Sequence, residues 1–222
     1  MEEIEKLNII YVEMIEYAKK EIEKLTSENE RLKKDNITDS LTKANNRNFY
    51  DNNLIGIVND YFENKKNVGF LMIDLNEFRL INDNYKSHTV GDMVLRDFVH
   101  QISAIVASTD YVIRMGRDEI LVVLPDADEN TGENLENRLQ TKVDLYNNKE
   151  IKKRLNEGER VNRKESENYN YKLSFASAYI LSEYSKKLPV EDIYKKVDRK
   201  MYLKKEELKN KFLKRNNSNI NK

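Results

Sequence analysis

The residues best suited to chemistry in this chain are acids, gathered at two places that a β-sheet can bring together. Asp74 closes a near-continuous apolar run over residues 68–74, which reads as a buried strand. Asp118 and Glu119 follow Gly116 and Arg117 between two short apolar runs, residues 111–115 and 120–124, the pattern of a hairpin with acids at its tip. An ionised carboxylate at a strand end beside another acid is costly unless a cation neutralises it. Hard oxygen ligands with no His or Cys close by suit Mg²⁺, which binds one or two carboxylates together with substrate phosphates. A plainer reading stays open on spacing alone. In it, Asp74 caps a helix beginning near Glu77, and Asp118 and Glu119 are solvated turn residues.

Around these acids, strands and helices alternate. Val90, Met93, Val94, Phe98, Ile102 and Ile105 recur at helical spacing and predict a helix over residues 89–106. Pro125 closes the second hairpin strand. A helix is expected over residues 129–146, a strand over 171–181 and a last helix over 190–212. The polar, lysine-rich stretch 147–168 is expected to be an exposed insertion, and 214–222 a frayed tail. The expected fold class is α+β, with a central mixed or antiparallel sheet of about five strands and surrounding helices.

Residues 1–36 contain no Gly or Pro and are dense in Glu and Lys. A heptad places Asn8, Ile15, Ile22 and Asn29 at a, and Ile4, Tyr11, Ala18, Leu25 and Leu32 at d. Ile at a, Leu at d and an occasional buried Asn favour a parallel two-stranded coil in fixed register. The alternative, an amphipathic helix packed on its own domain, is permitted by Leu7 and Met14, which widen the stripe. A coiled-coil helix over 1–36 and a globular domain over 37–213 are the expected division.

Composition removes several function classes. The 39 Lys and Arg balance 39 Asp and Glu, so net charge makes no case for nucleic acid or anionic lipid as a partner. The absence of Cys excludes disulfides, thiolate metal sites and Cys nucleophiles. His88 and His100 differ in setting and make an improbable metal pair. No run approaches a membrane-spanning length, and the N-terminus lacks signal-peptide character, so a cytoplasmic protein is expected.

Several separated segments, in order, resemble the GGDEF family of diguanylate cyclases. Asp39-Ser40-Leu41-Thr42, followed by Asn46-Arg47, is similar to the family's D-x-L-T…N-R start. Asp74-Leu75-Asn76-Glu77-Phe78 and Ile81-Asn82-Asp83 are similar to its D-x-D-x-F…I-N-D stretch, and His88 with Gly91-Asp92 matches G-H-x-x-G-D. Asp110, Arg114 and residues 116–120 match D-x-x-x-R-x-G-G-D-E-F, while Asp198, Tyr202 and Lys205 match D-x-x-x-Y-x-x-K. The resemblance implies one GTP per protomer and two facing protomers that make cyclic di-GMP. It implies Mg²⁺ or Mn²⁺ held by Asp74, Asp118 and the Leu75 carbonyl. Asn82 and Asp92 would read guanine, Lys205 and Lys209 would contact phosphate, and Asp118 and Glu119 would be catalytic, with Glu119 assisting proton removal.

Departures from the family pattern point to impaired turnover. The second glycine of the signature is Arg117, expected at a left-handed backbone position with roughly 1–2 kcal/mol of strain. Its guanidinium could exclude productive GTP or pair with phosphate. Lys86 looks inserted in the guanine loop, Ser87 and Ala176 replace glycines, and Ile120 replaces the closing Phe. Lys209 stands where the family has Arg, and Ala107 removes the arginine of the product-inhibition motif. Two functions follow from the resemblance. One is a homodimeric cyclase of reduced activity. The other is a degenerate module that binds GTP or a protein partner without turnover.

Overall fold

In the computed structural model, the backbone is described for residues 2–79, 81, 88–149 and 173–220; side chains are described for these except 2–10, 33–35, 88, 148–149 and 208–220. The chain divides into two compact units, residues 1–38 and 39–222.

The first unit is one helix, α1 (Glu2–Ile37). Its many Glu, Lys and Leu residues are strong helix formers, and it contains no Gly or Pro. Tyr11, Ile15, Ile22, Leu25 and Leu32, all a or d positions, are more than half exposed. The apolar seam therefore has no cover within its own unit.

The second unit is built on a four-stranded, wholly antiparallel sheet in the order β2-β3-β1-β4. Its strands are β1 (Val68–Leu75), β2 (Tyr111–Arg114), β3 (Glu119–Pro125) and β4 (Phe175–Ser182). Among the described residues this is one strand fewer than the sequence suggests. Asn45 adds a single parallel bridge to Ile113 beside β2. Every residue of β1 is buried, as expected for an inner strand covered on both faces. Leu71, Ile73 and Leu75 point into the main core with α4 (His88–Ser103) and α5 (Thr131–Lys149). By alternation, Phe70, Met72 and Asp74 share the opposite face. There the sheet meets α3 (Ile55–Glu63) and α6 (Val190–Ile220), which follow the short α2 (Arg47–Phe49) and a π-helical turn over Tyr50–Leu54.

Several boundaries differ from the sequence expectation. α4 ends at Ser103 because Ala104 and Ile105 continue in a turn, each donating to a helix carbonyl. α6 runs to Ile220, past residue 212, through a stretch without Gly or Pro. The expected insertion lies outside the described residues from 150 onward. Across the undescribed stretch, the Asn147 side chain bonds both the carbonyl and the amide of Leu173, each at 2.8 Å.

Candidate active site

Register does the first part of the assembly. In the β1–β3 ladder Asp74 lies directly opposite Glu119, and in the β1–β4 ladder it lies opposite Ala176. Two acids as a cross-strand pair repel each other, and the sheet supplies no neutralising group of its own. The Leu75 amide donates to the Asp118 carbonyl at 3.2 Å, which holds the hairpin base against the end of β1. Met115 and Gly116 amides both donate to the Glu119 carbonyl and close the turn.

A second constraint comes from outside the hairpin. Arg114, on β2, donates from Nη1 to both carboxylate oxygens of Asp39, at 3.1 and 3.0 Å. Its Nε donates to the Gly116 carbonyl at 3.1 Å and its Nη2 to the Arg117 carbonyl at 3.0 Å. One guanidinium thus ties the start of the domain to the hairpin tip. Burial raises the Asp39 carboxyl, but hydrogen bonds from Thr42 and the Arg114 charge outweigh it and leave the group below its usual range. Asp39 and Arg114 are 75 positions apart, so only their places in the family pattern could have flagged them, and that pattern gave neither a role.

α6 supplies the remaining wall. Asp74, Glu119, Asp198, Arg199, Met201, Tyr202 and Lys205 line one open cavity of about 480 Å³, within the size range of small-molecule sites. Asp74 is 5 % exposed. Its Oδ1 is buried and accepts no well-formed hydrogen bond; it meets the Lys205 ammonium as an ion pair. Burial pushes the Asp74 carboxyl up; Lys205 pulls it back, while Asp118 and Asp198 add to the rise. Glu119 is raised by burial and then by Asp74, Asp118 and Asp198, with Lys205 opposing. Asp198, a fourth acid on this site, was read in the sequence as a motif position only.

These observations bear on a divalent cation. No group of three metal-ligating side chains stands ready among the described residues. What is present is a buried carboxylate oxygen without a proper donor, opposite one acid and close to two more. That set fits an ion held by one or two carboxylates and completed by ligand phosphates, rather than a cage made by protein alone.

Other expected site residues are placed less centrally. Asp92 is exposed on α4, and neither it nor Asp118 lines the cavity. Arg117 is exposed, and its φ is not positive; the positive-φ residues described are Lys43, Lys65, Glu77, Asp126 and Lys187, and no described glycine joins them. The expected left-handed strain at Arg117 is therefore absent, because the turn is closed by the Glu119 carbonyl and the Arg114 fork without reversing φ. Asn82, Lys86 and Ser87 lie outside the described residues, as does the Lys209 side chain, although Lys209 itself is on α6.

An aromatic cluster that the sequence did not single out borders the site. The Arg47 guanidinium lies 4.8 Å from the Tyr50 ring centre and 5.5 Å from that of Tyr194. Burial pushes the Tyr50 phenol up to about 12. Tyr194 is also raised, by burial and then by the charges of Glu119 and Asp198.

Comparison with known proteins agrees with this architecture. Among curated proteins, signaling protein YkoW of Bacillus subtilis is 35 % identical over 95 residues, 43 % of this chain and 12 % of its own length. Diguanylate cyclase DgcS of Shewanella oneidensis is 34 % identical over 86 residues, 39 % of this chain and 29 % of its own. The chain thus spans under a third of these relatives. The solved coiled coil and GGDEF domain of DgcB from Caulobacter crescentus, in complex with c-di-GMP, superposes with a TM-score of 0.69 at 18 % identity, covering 85 % of this chain and 91 % of that one. The family profile described as diguanylate cyclase, GGDEF domain, matches residues 36–211, which contain the whole sheet, the hairpin acids and the cavity wall of α6. The chain belongs to the GGDEF diguanylate cyclase family.

Proposed function

We propose that this protein binds GTP at the Asp74–Lys205 cavity and, as a homodimer, condenses two GTP into cyclic di-GMP at a reduced rate. The observation that carries the reading is the meeting of Asp74, Glu119 and Lys205, from three elements, in one open cavity. Asp74 and Asp118, with the Leu75 carbonyl, would hold Mg²⁺ or Mn²⁺, and Lys205 and Lys209 would take the phosphates. The bound ion supplies neutralisation of charge on the triphosphate during in-line displacement. Asn82 and Asp92 are assigned to the guanine edge, where an amide and a carboxylate match its acceptor and donors. Glu119, held above the usual carboxylate range by burial and its acidic neighbours, is suited to accept the 3′-hydroxyl proton. That oxygen attacks the α-phosphorus of the facing GTP, and pyrophosphate leaves.

One observation favours a second reading. Arg117 puts an exposed, charged side chain at the hairpin tip, where the family has glycine. A hairpin so altered could hold GTP, or serve a protein partner, without turning over. Incubating the purified full chain with GTP and Mg²⁺ and following products by mass spectrometry separates the two. Cyclic di-GMP and pyrophosphate are expected; bound GTP recovered unchanged would establish the non-catalytic module.

A further inference from the structure

The ion pair between Lys205 and Asp74 has a consequence for how the site loads. The Lys205 ammonium reaches from α6 to the end of β1, and contacts Oδ1 of a carboxylate whose side chain is only 7 % exposed. Among the described residues nothing else satisfies that oxygen. Around it stand Glu119, opposite on β3, with Asp118 and Asp198 acting through their charges. We infer that Lys205 is a resident counter-ion, occupying the cation position at Asp74 until a divalent ion displaces it.

The inference rests on the reading of Asp74 as a cation ligand and deepens it. An ammonium and a divalent ion cannot both sit in contact with one buried oxygen, because their mutual repulsion is poorly screened there. A divalent ion arriving alone must break the ion pair and bring its charge close to the displaced ammonium. A polyphosphate arriving alone must draw Lys205 away and leave Asp74 buried and unpaired, which is costly. Arriving together, the ion takes Asp74 and the phosphate takes Lys205. Metal and polyphosphate binding are therefore positively coupled through this one side chain, and each must raise affinity for the other by the same factor. The arrangement also lets the acid-rich cavity fold without metal.

The test uses Mn²⁺ alone, with the full chain and no nucleotide, following free Mn²⁺ by electron paramagnetic resonance. Lys205→Met should bind Mn²⁺ at least tenfold more tightly than the unmutated protein, and Asp74→Asn should abolish that gain. Lys204→Met removes the same charge one residue away, from a side chain that pairs with Glu136 at 3.2 Å instead. It should leave Mn²⁺ affinity within twofold. Unchanged or weaker binding by Lys205→Met would overturn the inference, as would an equal rise in both lysine variants. Should Lys205→Met fail to fold, the lysine ¹⁵N spectrum of the unmutated chain decides: the Lys205 ammonium signal must shift on adding Mg²⁺, and an unmoved signal rejects displacement. Displacement without any cyclic di-GMP would leave this inference standing and overturn the cyclase reading. Cyclic di-GMP synthesis without displacement would do the reverse.

Discussion

Arg117 and Glu119 stand two residues apart on one hairpin and ask different questions of it. Because Arg117 has an ordinary φ, replacing it by Gly relieves no strain. What changes is an exposed guanidinium beside the acids. Arg117→Gly is expected to raise cyclic di-GMP synthesis at least tenfold, equivalent to about 1.4 kcal/mol off the barrier. A fall in GTP affinity would show instead that the guanidinium pairs with phosphate, and no change would place the tip away from the nucleotide. Glu119 is a pH probe. Its folded carboxyl is raised, so between its unfolded and folded pKa values the folded state binds more protons, and stability falls as pH rises through that window. Glu119→Gln should therefore melt higher than the unmutated protein at pH 7 without divalent ions. The gap should close on acidification below the unfolded carboxylate range, near pH 4. A gap independent of pH would show that the folded Glu119 carboxyl is not raised.

At the scale of elements, the sheet edge and the α5 start depend on one tyrosine. The Tyr179 hydroxyl, on β4, donates to the Asp128 carbonyl at 2.7 Å, which fixes the ring against α5. A Cβ built on Gly132 would fall 2.0 Å from Cγ of that ring, near its root, where rotation gives little relief. Gly132→Ala is expected to destabilise by about 1–3 kcal/mol through overpacking. Gly56, in α3, has nothing within 4 Å of a built Cβ. Gly56→Ala should stabilise by about 0.4–1 kcal/mol, since the helix tolerates Cβ and the unfolded chain loses freedom. Denaturant melts of the two variants should shift in opposite directions. A polar tie also crosses the β4 edge: Ser177 on β4 bonds Glu136 on α5, and Lys204 on α6 reaches the same carboxylate. It couples the helix carrying Lys205 and Asp198 to the far layer.

For the whole molecule the open question is assembly. α1 exposes Tyr11, Ile15, Ile22, Leu25 and Leu32 along a heptad seam. A second copy is the partner proposed for that seam, since Asn at a positions, here Asn8 and Asn29, favours parallel pairs in fixed register. The full chain is expected to sediment as a dimer across the micromolar range, and deleting residues 1–36 should weaken association. Asn29→Ile should strengthen association while relaxing the preference for two strands. A full chain that stays monomeric in sedimentation would remove the homodimer from the proposed function. Among the described residues no helix is long and apolar enough to cross a membrane, so α1 is not such a segment.

Much of this was legible in the chain itself. The eight-residue apolar run to Leu75, the hairpin around Gly116 and the heptad of residues 1–36 follow from local periodicity, which needs no partner to be read. The acids of β1 and the hairpin were also visible, because strand ends announce themselves in apolar patterning. Tertiary structure alone decided which groups meet them. Lys205 is 131 positions from Asp74, and Arg114 is 75 from Asp39; nothing in either neighbourhood encodes the other. Nor could spacing give the φ of Arg117, which is set by carbonyls that Arg114 and the strand pairing hold in place. Sequence specifies backbone habit through short-range sterics and periodicity. Which charge ends beside which is settled by register and by the helix that packs across the sheet.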